Sequence, residues 1–259
     1  MECKICNNET VFFDSAMILN KYNVKYFRCP KCGTIQTEKP YWLEEAYSNA
    51  IADSDIGVIT RNYINSENLK RLFSILFSGV NSFLDYGGGY GIFTRRMRDL
   101  GFDFEWYDQY CNNIFAKGHE KSKEHYDVIT SFEMFEHLEN PIETCKKIFS
   151  LADNLVFSTE LLPDSNPKVN DWWYYCVDHG QHIIFYTKES LQEIARQYSK
   201  HYYCFEGIHF FMNRKIKYTT ILKIKFSSFF YSFFKMFFLQ SKRESLLNKD
   251  YEKITGKII

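Results

Sequence analysis

Through the middle of the chain, from about residue 66 to residue 211, short apolar runs alternate with segments whose apolar residues recur at helical spacing. A helix predicted to begin at Ser66 and to stop at Gly79 carries these apolar residues on one face: Leu69, Leu72, Phe73 and Leu76. The short runs predict strands at 82–86, 102–107, 126–132 and 154–158, then a hairpin at 201–212. Alternation of this kind is typical of an α/β fold with a mostly parallel sheet.

Two later helices carry recognisable start signals. Asn140, Pro141 and Glu143 predict an N-cap, a proline at the first helical position and a capping box. Thr187 is the predicted cap of the next helix, which has Leu191 and other apolar residues on one face.

Composition divides the chain into three predicted regions. A zinc-ribbon or knuckle subdomain covers 1–40, a main α/β domain with lid helices at 41–79 covers 41–213, and a helical tail covers 214–259. The first region holds four of the eight cysteines, and the tail is basic and aromatic before it becomes polar.

The charge balance limits the partners that we expect. Lys and Arg number 32 and Asp and Glu number 32, so no global positive field favours nucleic acid, and we expect no nucleic-acid partner. The first residues lack the apolar core of a signal peptide, and no run reaches the roughly 18–20 apolar residues of a membrane span. These features predict a cytoplasmic protein, in which cysteines bind metal or lie buried as thiols.

The N-terminal cysteines form two pairs with the same spacing. Cys3 and Cys6 make one C-x-x-C pair, and Cys29 and Cys32 make the other. Two such pairs complete a tetrahedral four-sulfur zinc site that leaves no open position for catalysis. We therefore predict a structural zinc ion that supplies folding free energy to this short segment.

A glycine-rich loop follows the first predicted strand of the main domain. Gly87, Gly89 and Gly91 alternate with other residues, and Asp85 precedes them by two positions. Dinucleotide-binding folds prefer the spacing G-x-G-x-x-G, which is not the spacing here. A carboxylate at Asp85 repels a pyrophosphate but suits a ligand with a cationic amine.

This loop resembles the first motif of the class I S-adenosylmethionine-dependent methyltransferases, (D/E)-x-G-x-G-x-G. The resemblance continues at Asp108, which closes the second predicted strand, and through residues 126–138, which contain a segment similar to E-x-x-E-H-L. It implies a Rossmann-like sheet of seven strands, a methyl-transfer activity and S-adenosylmethionine as the methyl donor.

The same resemblance implies roles for individual residues. Asp85 is expected at the amine of the methionine group, and Asp108 is expected to accept hydrogen bonds from the ribose. The remaining cofactor contacts implied by the resemblance are Gly87, Gly89, Gly91, Phe132 and Glu133. Between Cys111 and Glu124 no clear strand and acid pair appears, so the adenine contacts stay unassigned.

The E-x-x-E-H segment has two interpretations. In ubiquinone O-methyltransferases and some RNA-end methyltransferases, similar residues are linked to a divalent cation, so Mg²⁺ near the acceptor is one interpretation. The other, which the sequence favours, is that Glu136 and His137 hydrogen-bond the loop that enters the next helix.

Residues 161–185 form a long insertion after the strand at 154–158. Its W-W-Y-Y…H-G-Q-H pattern resembles a methyltransferase subfamily encoded with surface-polysaccharide genes. His182 is the predicted general base, His179 is the second candidate, and Glu160 is a base or an orienting group. Three further residues either form an apolar wall on which a sugar or base ring stacks or pack in the core: Trp172, Trp173 and Tyr174.

Two other segments have open interpretations. Residues 40–47 and 55–61 resemble the same subfamily and predict a lid, in which Arg61 either holds an anionic group of the acceptor or is a solvated surface residue. The tail predicts either an amphipathic helix on a membrane surface or, as we favour, a helix packed on the domain or on a second subunit.

The predicted function is methyl transfer to a small acceptor, a nucleotide-linked sugar or related activated group for capsule or surface-glycan synthesis. O-methylation is favoured, because the similar sugar C-methyltransferases usually carry a large C-terminal domain that this sequence lacks. The alternatives are a non-catalytic zinc-ribbon binding module and an RNA methyltransferase.

Overall fold

The computed structural model describes residues 1–47 and 57–234 together with Lys249 and Lys253. The predicted lid residues Asp55 and Ile56, and the rest of the predicted tail, lie outside the described residues. The chain divides into two compact units. The first comprises Met1–Ser54 and Ser131–Asn213, and the second comprises Asp55–Thr130 and Arg214–Ile259.

Ten strands and six α-helices lie in the part of the chain that the structure describes. The strands are β1 (Val11–Ile18), β2 (Tyr22–Arg28), β3 (Ile35–Thr37), β4 (Phe83–Tyr86), β5 (Phe104–Tyr107), β6 (Tyr126–Ser131), β7 (Ala152–Ser158), β8 (Ile184–Phe185), β9 (His201–Phe205) and β10 (Ile208–Met212). The helices are α1 (Leu43–Ala46), α2 (Val58–Leu76), α3 (Ile92–Asp99), α4 (Pro141–Leu151), α5 (Lys188–Gln197) and α6 (Tyr218–Phe234).

In the first unit an antiparallel sheet is built in the order β1, β2, β3, β8. Its core joins Tyr26 and Ile35 from the N-terminal strands to Trp42, Tyr175 and Phe185. The rings of Tyr26 and Tyr175 meet edge to face with centroids 5.7 Å apart. The N-terminal strands therefore share one core with residues far beyond the predicted boundary at residue 40.

The first unit also contains three antiparallel strands in the order β7, β10, β9. The predicted hairpin at the end of the α/β region is confirmed, because β9 pairs with β10 from Phe205 opposite Ile208. Glu206 and Gly207 make the turn, both with positive φ.

In the second unit β5, β4 and β6 are parallel neighbours, in that order. Phe83 and Phe104 stack with centroids 5.0 Å apart, and Phe73 of α2 stacks on Phe83 at 5.5 Å. Aromatic packing therefore fixes α2 to β4, the first parallel strand. Parallel strands together with helices confirm the predicted α/β class.

The seven-strand count implied by the resemblance is not reached among the described residues. Where a further strand is expected after β5, a single parallel bridge joins Trp106 to Glu120. Asn113 holds this segment in tight turns, because its amide donates to the Ala116 carbonyl and its carbonyl accepts from the Ala116 N–H. Closed turns of this kind leave no extended backbone for a longer ladder.

The helix starts differ from prediction in two places. Asn140 precedes Pro141 of α4 but makes no side-chain cap, since its ψ of 76° lies outside the usual cap conformation. α2 begins at Val58 rather than Ser66, and the buried Ser66 hydroxyl donates to the Tyr63 carbonyl. Thr187 caps α5 as predicted, in a capping box.

The described part of the predicted tail contains the helix α6. It packs against α2, whose Arg71 donates from Nη1 to the hydroxyl oxygen of Ser227 at 2.7 Å. Across the residues described, none of the helices has both the length and the apolar character that a bilayer crossing requires.

Candidate functional site

A glycine-rich turn connects the carboxyl end of β4 to α3 in the second unit. Gly87, Gly89 and Gly91 have φ values of 75°, 52° and 86°, a left-handed region that side chains with a Cβ rarely adopt. Gly91 is the residue that immediately precedes α3. The alternating glycines predicted from the sequence are therefore the positions where the backbone needs them.

Gly88, which sequence reasoning did not single out, is required for a different reason. A Cβ at this position would lie 2.6 Å from Trp106 Cδ1 and 2.8 Å from Asp85 Oδ2. Both neighbours are themselves buried. Close approach, rather than backbone conformation, therefore excludes a side chain at Gly88.

The loop is fixed from one side and open on the other. The Trp106 indole N–H donates to the Gly89 carbonyl at 2.9 Å, and the Gly89 N–H donates to Asp108 Oδ2 at 2.9 Å. Apart from Gly89 and its two chain neighbours, no described residue has an atom within 4 Å of the point where a Gly89 Cβ would be. The open side offers backbone against which a ligand can lie closely.

Asp85 is a buried carboxyl group at the end of β4, with 2% of its surface exposed. The hydroxyls of Thr94 and Thr130 each donate to it at 3.0 Å. Burial raises the pKa of Asp85 to about 7, although the two threonine hydrogen bonds lower it. A cationic group nearby would favour the ionised form of this carboxyl.

Asp108 follows β5 and accepts three backbone hydrogen bonds. Its Oδ2 accepts from Gly89, and its Oδ1 accepts from Tyr110 at 2.7 Å and from Cys111 at 2.8 Å. A carboxylate has about four acceptor positions, so these bonds leave capacity for one further donor. Asp108 thus organises the loop as well as being the candidate ribose acceptor.

Phe132 and Glu133, the other predicted cofactor contacts, follow β6 in the first unit. Glu133 is exposed and has a φ of 51°, which is strained for a residue with a Cβ. The Ser158 hydroxyl donates to its Oε1 at 2.7 Å and accepts from its backbone N–H at 2.9 Å. The predicted cofactor role of both residues stays a prediction.

The four N-terminal cysteines converge in the first unit. Their four sulfur atoms all lie within 4.8 Å of one another; the residues are Cys3, Cys6, Cys29 and Cys32. The Cys3–Cys32, Cys6–Cys29 and Cys6–Cys32 sulfur distances are 3.6, 3.5 and 3.6 Å. A tetrahedral zinc ion with Zn–S bonds of about 2.3 Å requires sulfur separations of about 3.8 Å, so the four residues fit this metal.

Both cysteine knuckles are bound to helix α5. At its start the Thr187 hydroxyl donates to the Cys32 carbonyl at 2.5 Å, and at its end the Gln197 amide donates to the Ile5 carbonyl at 2.7 Å. Hydrogen bonding with Cys3 lowers the pKa of the Cys32 thiol below its ordinary value. The cysteine cluster therefore braces the helix that follows β8.

A second cluster of metal-capable side chains joins Glu136, His137 and His182, again within the first unit. One ligand atom from each lies within 4.8 Å of the other two, and the imidazole rings of His137 and His182 meet edge to face at 4.8 Å. Glu136 is fully buried, and neither of its carboxylate oxygens makes a hydrogen bond of ordinary geometry with a described residue. A buried carboxylate in this condition fits a site that takes a cation.

The hydrogen-bond partners of the two imidazoles leave one nitrogen of each ring available. Nδ1 of His182 lies 2.7 Å from the Tyr174 carbonyl, and Nδ1 of His137 lies 3.0 Å from the Gln181 carbonyl. Since a carbonyl oxygen only accepts hydrogen bonds, we assign the proton to Nδ1 in each ring. This leaves a lone pair on Nε2 of each ring. Metal-ligating histidines are oriented in this way by backbone carbonyls.

The protonation states of the two histidines at neutral pH agree with a free lone pair on each ring. Burial lowers the pKa of both imidazoles to about 4, so both are neutral. Burial, and then the charge of Glu133, raise the pKa of Glu136 to about 7. The expectation that Glu136 and His137 hydrogen-bond the loop before α4 is wrong: the Glu136 side chain makes no such bond, and His137 contacts Gln181 and Tyr47 instead.

The loop that carries His182 is anchored by residues near the N-terminus. The Trp42 indole donates to the Gly180 carbonyl at 2.7 Å, and the Gln181 amide donates to the Ala46 carbonyl at 2.8 Å. A Cβ on Gly180 would lie 2.5 Å from Ile18. Trp42 and Gly180 are thus positioning residues that the sequence alone does not reveal, because the contacts join residues about 138 positions apart.

The other predicted site residues are separated by the fold. Tyr174 is buried and Trp172 packs on the same core, whereas Trp173 is 73% exposed. The Tyr174 hydroxyl accepts from the backbone N–H of Glu160, whose side chain is exposed. His179 lies in the turn before Gly180, half-buried. Arg61 is half-buried in α2, in the second unit.

Comparison with protein families gives one match. A family model described as a methyltransferase domain matches residues 59–198, more than half of the 259 residues. No curated protein matches the chain at a significant level.

Solved structures give several similarities at low identity. The magnesium protoporphyrin IX methyltransferase from Synechocystis PCC 6803 with bound S-adenosylhomocysteine is 14% identical, with a TM-score of 0.43, and the match covers 65% of this chain and 90% of that one. The plantazolicin methyltransferase BpumL is 14% identical, with coverages of 68% and 95% and a TM-score of 0.41. The mitomycin 7-O-methyltransferase MmcR is 10% identical, with coverages of 66% and 59% and a TM-score of 0.41. The acceptors in these names belong to those proteins alone.

Proposed function

This chain belongs to the methyltransferase domain family, and from that premise we propose that it transfers the methyl group of S-adenosylmethionine to a hydroxyl group of a small acceptor. The observation that carries the proposal is the glycine loop. Its backbone is held by Trp106 and Asp108 and is open at Gly89, next to the buried Asp85.

The cofactor assignment follows from the chemistry of this loop. A sulfonium compound with a methionine ammonium group is cationic, and Asp85 supplies a carboxyl whose ionised form such a group favours. Asp108 retains one acceptor position for a ribose hydroxyl. The open backbone at Gly89 admits a flat ligand without a steric conflict.

Methyl transfer is an in-line displacement. The acceptor oxygen attacks the methyl carbon, the carbon–sulfur bond breaks, and its electron pair returns to sulfur as a neutral thioether. The acceptor hydroxyl must lose its proton, which requires a group that lowers its pKa or accepts the proton. We assign this task to the cluster of Glu136, His137 and His182.

The donor set of this cluster fits a divalent cation. Glu136 would supply a carboxylate oxygen, and His137 and His182 would supply Nε2 lone pairs oriented by backbone carbonyls. A bound cation would lower the pKa of the acceptor hydroxyl, and the proton would pass to solvent water. Two imidazoles and one carboxylate suit Mn²⁺, Fe²⁺ or Zn²⁺ better than Mg²⁺, which prefers oxygen ligands.

The alternative route uses His182 directly as the general base. Its Nε2 lone pair would take the proton, and the adjacent Glu136 carboxylate would stabilise the resulting imidazolium. The two routes differ in one respect, because only the first requires a metal ion at the cluster.

A structural zinc ion is proposed for the cysteine cluster. Four sulfurs at nearly tetrahedral separation, bonded through Cys32 and Ile5 to both ends of α5, fit a closed site. Zinc there would hold α5 and β8, and therefore the chain on the C-terminal side of His182.

The acceptor that we propose is a nucleotide-linked sugar or a similar activated group used in surface-glycan synthesis. The support is the resemblance of the segment from Trp172 to Tyr186 to methyltransferases encoded with surface-polysaccharide genes. Trp173, 73% exposed, is the one tryptophan of this segment available for stacking on a sugar ring. Trp172 and Tyr174 are core residues instead.

The test is methyl transfer from labelled S-adenosylmethionine to a panel of nucleotide-linked sugars, with RNA as a separate arm. We expect label in a sugar-bearing product, and O-methylation is identified from the NMR chemical shifts of the transferred methyl group, which distinguish a methyl ether from N-methyl and C-methyl groups. Label in RNA, or binding of the donor with no label transferred to any acceptor, would favour the RNA methyltransferase or the binding module.

Metal content separates the two clusters in the same preparation. We expect elemental analysis to find one equivalent of zinc that Cys29→Ser removes, and a second equivalent of metal that His182→Gln removes while the first equivalent stays. Activity that survives removal of the second ion by a chelator, in protein that retains His182, would favour His182 as the direct base; activity lost with the ion and restored by adding it back would favour the metal route.

A further inference from the structure

The first residues of helix α6 have two chemically different faces. Ile224 is 2% exposed, and Ser227 accepts a hydrogen bond from Arg71 of α2, so this face is fixed on the second unit. Tyr218, Leu222 and Phe226 follow one another at intervals of four residues and are 73%, 41% and 66% exposed. Residues at this spacing lie in one stripe along the helix, which we call the exposed stripe.

Cations flank the exposed stripe. Lys223 and Lys225 on α6 are exposed, and so are the residues that precede the helix: Arg214, Lys215 and Lys217. No aspartate or glutamate occurs in the sequence between Glu206 and Glu244. The zero net charge of the whole chain therefore hides a segment that is strongly positive in itself.

We propose that this face of α6 binds an anionic lipid surface, with the exposed stripe in the headgroup region and the cations on lipid phosphates. An exposed stripe of aromatic and apolar residues flanked by lysines is a feature that the first turns of α6 share with helices that lie in a membrane interface. Each lysine or arginine near an anionic leaflet adds attraction that salt screens. This surface would hold the enzyme at a membrane whatever the acceptor is, so the proposal does not depend on the acceptor proposed above.

Charge and shape disfavour two other partners for this face, a second copy of the chain and RNA. A second copy of the chain on this face would bring two sets of five cations together, and the like charges would repel. RNA would satisfy the cations but would leave the aliphatic side chain of Leu222 without a stacking partner. An anionic bilayer satisfies both the charges and the apolar stripe.

The experiment is sedimentation of the full chain with vesicles of phosphatidylcholine, with and without about one third phosphatidylglycerol. We expect partitioning onto the anionic vesicles to be at least about tenfold stronger, and to weaken as salt rises. Replacing Tyr218 and Leu222 together by serine should lower it roughly tenfold. Replacing Lys223 and Lys225 together by glutamate should lower it by a similar factor or more.

The matched control is Phe12→Ser, which removes an apolar ring of comparable exposure, 61%, from strand β1. It should leave vesicle binding unchanged. Unchanged melting temperature and unchanged S-adenosylhomocysteine affinity would show that each variant is folded. Equal binding to neutral vesicles, an equal loss in Phe12→Ser, a dimer that the Tyr218 and Leu222 substitutions dissociate, or RNA binding in place of vesicle binding would each overturn the proposal.

Discussion

The glycine loop and the Glu136–His137–His182 cluster differ in how their polar groups are satisfied. In the loop, Asp85 accepts two hydroxyl hydrogen bonds and Asp108 accepts three backbone hydrogen bonds. In the cluster, the buried Glu136 carboxylate accepts no hydrogen bond of ordinary geometry from the described residues, and one ring nitrogen of each of two neutral imidazoles lies within 4.8 Å of it.

This difference indicates two kinds of task. A loop whose acceptors are already satisfied is preorganised, so a ligand binds without a large change in the protein. A buried carboxylate without a well-formed hydrogen bond is costly, and such groups are found where a cation or a proton-transfer step needs them. We therefore expect changes in the loop to alter cofactor affinity and changes in the cluster to alter turnover.

Glu136→Gln should have the largest effect. It removes the only carboxylate among the three cluster side chains, and we expect turnover to fall about 100-fold or more. Affinity for S-adenosylhomocysteine should stay within about twofold, measured by calorimetry. The control is Glu139→Gln, an exposed carboxylate three residues away, which should change neither quantity. A large loss of S-adenosylhomocysteine affinity in Glu136→Gln would contradict the assignment of the cluster to turnover rather than to cofactor binding.

Gly88→Ala should have the next largest effect, on affinity. The new Cβ would meet Trp106 and Asp85 at less than 3 Å, and overpacking of about 1–3 kcal/mol corresponds to a loss of roughly 5- to 150-fold. Gly79→Ala is the control, because it adds a Cβ at a positive φ with no atom within 4 Å. Gly79→Ala should lower the melting temperature without lowering affinity, and equal affinity losses would contradict the steric explanation.

Cofactor affinity should depend on pH through Asp85. Burial raises the pKa of Asp85 to about 7, and the ammonium group of the ligand favours the carboxylate, so binding below pH 7 must release the Asp85 proton. Affinity should therefore fall by up to about tenfold between pH 8 and pH 6.

The pH experiment separates the loop from the cluster with two variants. Asp85→Asn should bind more weakly with a flat profile, whereas Glu136→Gln should retain the pH dependence although the pKa of Glu136 is also about 7. The imidazoles titrate near pH 4 and lie outside this window. A flat profile for the unmodified protein would contradict the role of Asp85.

Trp106→Phe should have the smallest effect. It keeps a ring beneath Gly88 but removes the N–H that donates to the Gly89 carbonyl, a hydrogen bond worth about 1 kcal/mol, or roughly fivefold in affinity. Trp173→Phe, at an exposed tryptophan, is the control and should leave calorimetric affinity unchanged. Equal affinity in Trp106→Phe would show that the loop is held without this bond.

The sequence predicted the loop because its determinants are local. Asp85, the alternating glycines and the helix that follows occupy a short stretch, and backbone conformation alone requires Gly87, Gly89 and Gly91. Gly88 escaped notice because its constraint comes from Trp106, on another strand.

The cluster could be predicted only in part, because its members are distant in the sequence. His182 lies about 45 residues beyond Glu136 and His137, and the loop that carries it is anchored by Trp42. Each residue was a candidate separately, but no pattern in the sequence joins them. The cysteine pairs are also distant, yet their repeated spacing made the four-sulfur cluster predictable.

The most direct test of the cofactor site is a calorimetric titration with S-adenosylhomocysteine, made in parallel on the unmodified protein, Gly88→Ala and His182→Gln. We expect binding to the unmodified protein, weaker binding to Gly88→Ala, and unchanged binding to His182→Gln. Absence of binding to the folded, zinc-loaded protein would contradict the assignment of the glycine loop as the cofactor site.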